Sequence, residues 1–148
     1  MPELIEKVVV EAPAERAWDA MTAWDRQSEW MLGTRVYATD LDGRAVGGGL
    51  SAFTGVGPIG FTDTMVITEW SPPSVCRVRH TGRVVRGTAT FEVAPDGPGR
   101  SLVTWSEQII VPFGGVGEAI WPLIGPAVAW GLRRSLRVFA RWAPTYPM

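Results

Sequence analysis

The sequence predicts an α+β fold, a seven-stranded antiparallel sheet with its helices on one face, and three observations lead there. An extended opening segment passes directly into helical periodicity. A long middle section alternates extended runs with glycine- and proline-rich links. From Val116 onward the apolar residues return to helical spacing. The middle links are short, which implies antiparallel neighbours, because a parallel crossover needs about a dozen residues or more.

Each element has a local reason. Leu4 to Glu11 is rich in β-branched residues and stops at Ala12-Pro13, as a first strand closed by proline does. Pro13 is tolerated in a helical first turn, Glu15 favours the positive end of the helix dipole, and Ala17, Trp18, Met21 and Trp24 recur at helical spacing. Asp25 is a cap for a second short helix over Arg26 to Met31, anchored by Trp30 and ended by Gly33. Six strands follow, near Thr34–Thr39, Gly49–Gly55, Gly60–Trp70, Val75–Thr81, Arg83–Ala94 and Ser101–Val111. Ser71-Pro72-Pro73 and Pro95-Asp96-Gly97-Pro98 have turn composition, since proline presets φ and glycine accepts a positive one. Ile120, Ile124, Val128, Leu132, Leu136 and Phe139 then form one apolar stripe of a long helix. Pro122 and Pro126 predict that tight helix begins after Pro126.

The 148 residues, 46% apolar and 20% charged, suit a single globular domain over 1–148, and no repeat or low-complexity linker divides them. Cys76 is the only cysteine, so there is no internal disulfide, CxxC pair or Cys/His zinc pattern, and a reducing cytoplasm is expected. The opening Met-Pro-Glu-Leu-Ile-Glu-Lys has no apolar stretch of signal-peptide length. A net charge of −1 gives no bulk attraction to phosphate, which argues against nucleic acid as partner. The uncharged segment from Ala119 to Leu132 is shorter than the roughly 20 apolar residues a spanning helix needs, so no integral membrane span is expected. Arg133, Arg134, Arg137 and Arg141 lie around the last helix, either as a solvated face or as a peripheral contact for anionic lipid.

Several segments together carry a family resemblance. They are Val10-Glu11-Ala12-Pro13-Ala14-Glu15-Arg16-Ala17-Trp18-Asp19, Trp24 and Trp30, Val66-Ile67-Thr68-Glu69-Trp70-Ser71-Pro72-Pro73, Gly87 with Phe91-Glu92-Val93, and Val103-Thr104-Trp105-Ser106-Glu107. They span nearly the whole chain, which resembles the START-like helix-grip superfamily (SRPBCC) in its polyketide cyclase, dehydratase and lipid transport branch. The resemblance implies a curved sheet gripping the C-terminal helix. It also implies a cavity between them, opened by the loops near Gly55–Gly60 and Pro112–Gly117. Members bind lipids, hormones, quinones or polyketides, so function has to be argued from the site. Eight tryptophans supply bulk for both core and cavity wall. The wall is expected to include Trp30, Phe53, Asp63, Met65, His80, Phe91, Trp105, Glu107, Ile124 and Val128.

Strand alternation makes polar exceptions on an apolar face informative. Glu107 shares parity with Val103, Trp105 and Ile109; His80 shares it with Cys76 and Val78, leaving Arg77 and Arg79 to solvent. Asp63 shares parity with Phe61, Met65 and Ile67, while Val66 and Trp70 sit on the other. Glu107 and His80 are the catalytic candidates: a hydrogen-bonded pair in a low-dielectric cavity can orient a ligand carbonyl or exchange a proton. The alternative is a satisfied polar pair with no chemistry.

Other chemistry finds little support. One histidine precludes a multi-histidine metal site, no acidic cluster has calcium-loop spacing, and no cofactor is expected. Cys76 lies four residues from His80, roughly 13 Å along a strand and too far for direct activation. Gly55-Val56-Gly57-Pro58-Ile59-Gly60 matches GxGxxG but precedes a strand, not a helix, and reads as a rim loop. The expected function is binding of a largely apolar small molecule, a lipid, isoprenoid or polyketide. A cyclase or dehydratase using Glu107 and His80 is the alternative, and a protein-interaction module comes third.

Overall fold

The computed structural model describes residues 2–83, 85–111 and 113–147. Val84 and Pro112, which fall in the expected strand 83–94 and rim loop 112–117, lie outside the described residues. The chain runs β1 (Glu3–Val10), α1 (Ala14–Met21), a 3-10 helix (Trp24–Glu29), β2 (Thr34–Ala38), a second 3-10 helix (Asp40–Gly43), β3 (Gly49–Val56), β4 (Ile59–Ser71), β5 (Val75–Thr81), β6 (Arg86–Pro95), β7 (Ser101–Ile109) and α2 (Gly114–Trp142). The strands form one curled antiparallel sheet in the order β1-β7-β6-β5-β4-β3-β2. Six strands thus form a meander, and β1 adds to its far end, from Glu3 opposite Gln108 to Val10 opposite Ser101. With the long C-terminal helix lying in the curl, this is a helix-grip fold.

α1 follows an extended Pro13 (φ −64°, ψ 157°) whose carbonyl accepts from the Ala17 amide at 3.0 Å. Its buried Ala14, Ala17, Trp18, Ala20 and Met21 lie on the sheet side, where Trp18 meets Trp70 edge to face at 5.2 Å. The segment expected as a second α-helix over 26–31 is instead the 3-10 helix from Trp24 to Glu29. The reason is its period: Trp24, Gln27 and Trp30 are all buried, and only a helix of three residues per turn stacks them on one side.

α2 corrects the expectation that tight helix starts after Pro126. It begins at Gly114 and runs through both prolines. Pro122 and Pro126 are exposed, and so are Glu118 and Pro122, the residues whose carbonyls lose a donor; water takes the place of the missing amides. The apolar stripe is also split. Leu136 and Phe139 are buried, whereas Ile120 and Ile124 are more than two-fifths exposed. The parity conflict in β4 has a local cause, a register shift between Ile67 and Glu69. Thr68 is the extra residue, so Trp70 returns to the face of Asp63, Met65 and Ile67.

The core is densest where α1, the Trp24–Glu29 turn and the C-terminal half of α2 meet the sheet. There Trp30 packs against Phe139 at 4.8 Å, Trp105 at 6.2 Å and Phe91 at 6.3 Å, all in edge-to-face arrangements. Among the described residues no helix is long and apolar enough to cross a membrane.

Candidate functional site

Between the inner sheet face and α2 lies a cavity of about 420 Å³. Every strand but β1 contributes to its wall: Thr34 and Val36 from β2, Leu50, Ala52 and Thr54 from β3, Phe61, Asp63 and Met65 from β4, Val78 and His80 from β5, Ala89 and Phe91 from β6, Trp105, Glu107 and Ile109 from β7. α2 closes it with Trp121, Val128, Gly131, Leu132 and Ser135. The wall is apolar except for two polar groups. One is made of Gln27, Thr34, Thr54 and Ser135. Here the Thr34 hydroxyl donates to the Leu32 carbonyl at 3.0 Å and meets the Thr54 hydroxyl at 3.1 Å, and the Leu32 amide donates to Ser135 Oγ.

The other is ionic. His80 stands between two carboxylates, its Nδ1 at 2.9 Å from Asp63 Oδ1 and its Nε2 at 3.1 Å from Glu107 Oε2. Trp105 Nε1 donates to Glu107 Oε1 at 3.1 Å. The register explains why three residues from three strands meet. His80 is opposite Met65, two residues from Asp63 on the same face, and across β6 it is opposite Gly87, while Glu107 is opposite Ala89. Only a glycine and an alanine therefore stand between His80 and β7, leaving the imidazole free to reach Glu107 over the strand. Gly87 is required twice over: it takes φ +112°, and a Cβ there would collide with the Gln108 carbonyl.

Burial by itself lowers the basicity of His80, but hydrogen bonds to Asp63 and Glu107 and their two negative charges outweigh it and push its pKa up to about 9. At neutral pH it is the imidazolium, donating from both nitrogens, as two carboxylate partners demand. The trio carries one net negative charge, Asp63 and Glu107 against His80. Cys76, on the same strand, is buried and is not on the cavity wall, and burial pushes its thiol up to about 12. It is a core residue without nucleophilic character.

Of the wall residues expected from sequence, Asp63, Met65, His80, Phe91, Trp105, Glu107 and Val128 face the cavity, and the two catalytic candidates, Glu107 and His80, are in contact. Three others stand elsewhere. Trp30 is behind the wall, 2% exposed, its ring filling the core between Phe91, Trp105 and Phe139. Phe53 has the outward parity of β3 and lines a shallow outer depression with Arg35, whose guanidinium lies 5.4 Å over its ring. Ile124 is 44% exposed, because the helical period of α2 turns it away from the sheet. Trp121 takes the place that Ile124 was expected to fill. It and the Gln27/Ser135 cluster were missed; a buried glutamine on a three-residue period was the available signal for the latter. Of the arginines on α2, Arg133 pairs with Glu6 of β1 at 3.1 Å on the protein exterior.

No group of three or more His, Cys, Asp or Glu side chains among the described residues is arranged to hold a metal ion.

A helix-grip sheet over a buried cavity defines the structural class, and comparison with known proteins supplies the family. Residues 1–143 match the family model described as polyketide cyclase / dehydrase and lipid transport, and the chain belongs to that family. No curated protein matches it by sequence. Among solved structures it is similar to the protein TTHA0849 from Thermus thermophilus, with a TM-score of 0.83 and 11% identity over 99% of this chain and 100% of that one. The Zhui aromatase/cyclase from Streptomyces sp. R1128 aligns with a TM-score of 0.79 and 14% identity over 97% of this chain and 93% of that one. The di-domain aromatase/cyclase BexL aligns with a TM-score of 0.74 and 16% identity, covering 95% of this chain and 46% of that protein. At these identities the likeness is one of fold.

Proposed function

We propose that residues 1–148 act as one ligand-binding domain that holds a largely apolar small molecule, of lipid, isoprenoid or polyketide character, between the sheet and α2. The observation that carries this reading is the cavity of about 420 Å³, roomy enough for a small ligand and apolar apart from two localised polar groups. A well-packed domain does not leave such a volume empty without a use, since lining atoms lose their dispersion partners. A cytoplasmic location accompanies the proposal, in keeping with a lone, buried and unpaired Cys76.

The second reading is a cyclase or dehydratase in which Glu107 and His80 exchange protons with the ligand. It is favoured by their hydrogen bond in the cavity and by the aromatase/cyclase activity named for two proteins of similar fold. Binding is preferred over it because both imidazole nitrogens are already engaged by carboxylates. An imidazolium with a pKa of about 9 has no free lone pair with which to abstract a proton at neutral pH.

Native mass spectrometry of the purified protein, together with titration of an apolar fluorophore against tryptophan emission, tests the binding reading. A co-purifying small molecule or saturable quenching is expected. A folded sample that does neither rejects it. Turnover of polyketide or hydroxyacyl thioesters by the wild type, abolished in Glu107→Gln and His80→Gln while probe affinity holds, puts the enzyme in its place.

A further inference from the structure

The charged groups on the cavity wall are not balanced. Among the described wall residues, Asp63, His80 and Glu107 are the only ionisable ones, and no arginine or lysine faces the cavity. Two carboxylates share one imidazolium, so the cavity keeps a full negative charge, and it does so where water is largely replaced by apolar side chains. Side-chain exposure is only 12% for Asp63 and 13% for Glu107, so solvent screens that charge poorly.

The hydrogen bonds are unevenly distributed as well. Glu107 accepts at both oxygens, from His80 at Oε2 and Trp105 at Oε1. Asp63 accepts from His80 at Oδ1, and its Oδ2 receives nothing from the described residues. The trio thus presents the cavity with an acceptor and no donor: His80 has directed both N–H groups at carboxylates, and Trp105 has directed its own at Glu107.

Resting on the ligand-binding reading, we infer that the ligand meets Asp63 with an uncharged donor, an alcohol or phenol hydroxyl, and that ligands ending in a carboxylate are excluded. A carboxylate has no proton to give Oδ2 and adds a second uncompensated charge in a low-dielectric space; this is specificity by repulsion. An ammonium matches the sign, but it brings three N–H donors to a single free carboxylate oxygen and is stripped of its hydration to enter. A hydroxyl brings one donor to one acceptor.

Three probes of one shape separate these cases: 1-naphthylmethanol, 1-naphthylmethylamine and 1-naphthoate, titrated at pH 7 against tryptophan emission. The alcohol is expected to bind at least tenfold more tightly than the carboxylate and more tightly than the amine. In Asp63→Asn, which removes one charge and the free acceptor, discrimination between alcohol and carboxylate should shrink at least tenfold, mainly because the carboxylate binds better. Glu107→Gln removes a charge but leaves Asp63 Oδ2, so carboxylate affinity should rise while alcohol affinity holds; it serves if Asp63→Asn does not fold. Equal or tighter binding of the carboxylate by wild type overturns this inference alone, as does an amine that outbinds the alcohol. Absence of saturable binding by all three probes rejects the ligand-binding reading and this inference with it.

Discussion

The two halves of α2 meet the same sheet face in opposite ways. From Ser135 to Trp142 the helix is clamped: Ser135, Leu136 and Phe139 are buried, and Phe139 sits against Trp30 and Trp142. From Gly114 to Pro126 most residues are exposed, with Leu123 at 81%, and Trp121 alone of that stretch reaches the cavity wall. The difference lies in what each half faces. The C-terminal half lies over aromatic rings that fill the space beneath it, whereas the opposing sheet positions toward β2 and β3 carry Val36, Ala52, Thr34 and Thr54, too small to reach the helix. A helix gains stability only from surface it buries. One half therefore holds the fold and the other roofs a space.

If that division is right, the largest effect belongs to the clamped half. Phe139→Ala should cost on the order of 3–5 kcal/mol in urea denaturation, since its ring is fully buried and its neighbours cannot collapse into the gap. A loss below about 1 kcal/mol would erase the contrast between the halves.

The ionic trio comes next, and it titrates. His80 has its pKa raised from 6.5 to about 9 in the folded protein, so its stabilising contribution is complete below pH 6.5 and lost as pH rises through 9. The expected loss is on the order of 3 kcal/mol across that window, and chemical denaturation at pH 6, 7.5 and 9 measures it. In His80→Gln the slope between pH 6.5 and 9 should vanish. A slope that persists there locates the titration in some other group.

Ligand affinity sharpens the comparison further. Trp105→Ala removes a cavity wall and the Nε1 donor to Glu107, whereas Trp142→Ala removes a ring stacked on Phe139 and Tyr146 away from the cavity. Fluorophore affinity should change about tenfold in the first, on the order of 1.4 kcal/mol, and little in the second. Equal changes would deny the wall a role distinct from the core. Smallest of all, Leu123→Ser on the exposed half should shift stability by less than about 0.5 kcal/mol. A larger destabilisation would mean that the exposed half carries packing of its own.

Much of this was legible in the sequence, for identifiable reasons. The strand and turn order could be read because glycine and proline punctuate it and because links this short permit only antiparallel neighbours. Glu107, His80 and Asp63 could be assigned to the inner face because side-chain direction in a strand has a period of two, and β5 and β7 keep that period without interruption. Trp70 defied the rule only because one extra residue, Thr68, resets the parity, and a bulge leaves no mark in composition. The helix–proline rule failed at Pro122 and Pro126 because its cost depends on whether water reaches the freed carbonyls, which is a matter of exposure and not of sequence.

What the chain determined alone, then, is everything that follows from local periodicity: element order, the inner face of each regular strand, and the absence of a second histidine or cysteine with which to build a metal site. What only the tertiary structure decided is where those faces meet. That His80 reaches both carboxylates depends on Gly87 and Ala89 clearing the intervening strand. That Trp30 fills the core while Trp121 faces the cavity depends on how α2 crosses the sheet. Contacts between segments far apart in sequence are fixed by packing density in three dimensions, and no period along the chain encodes them.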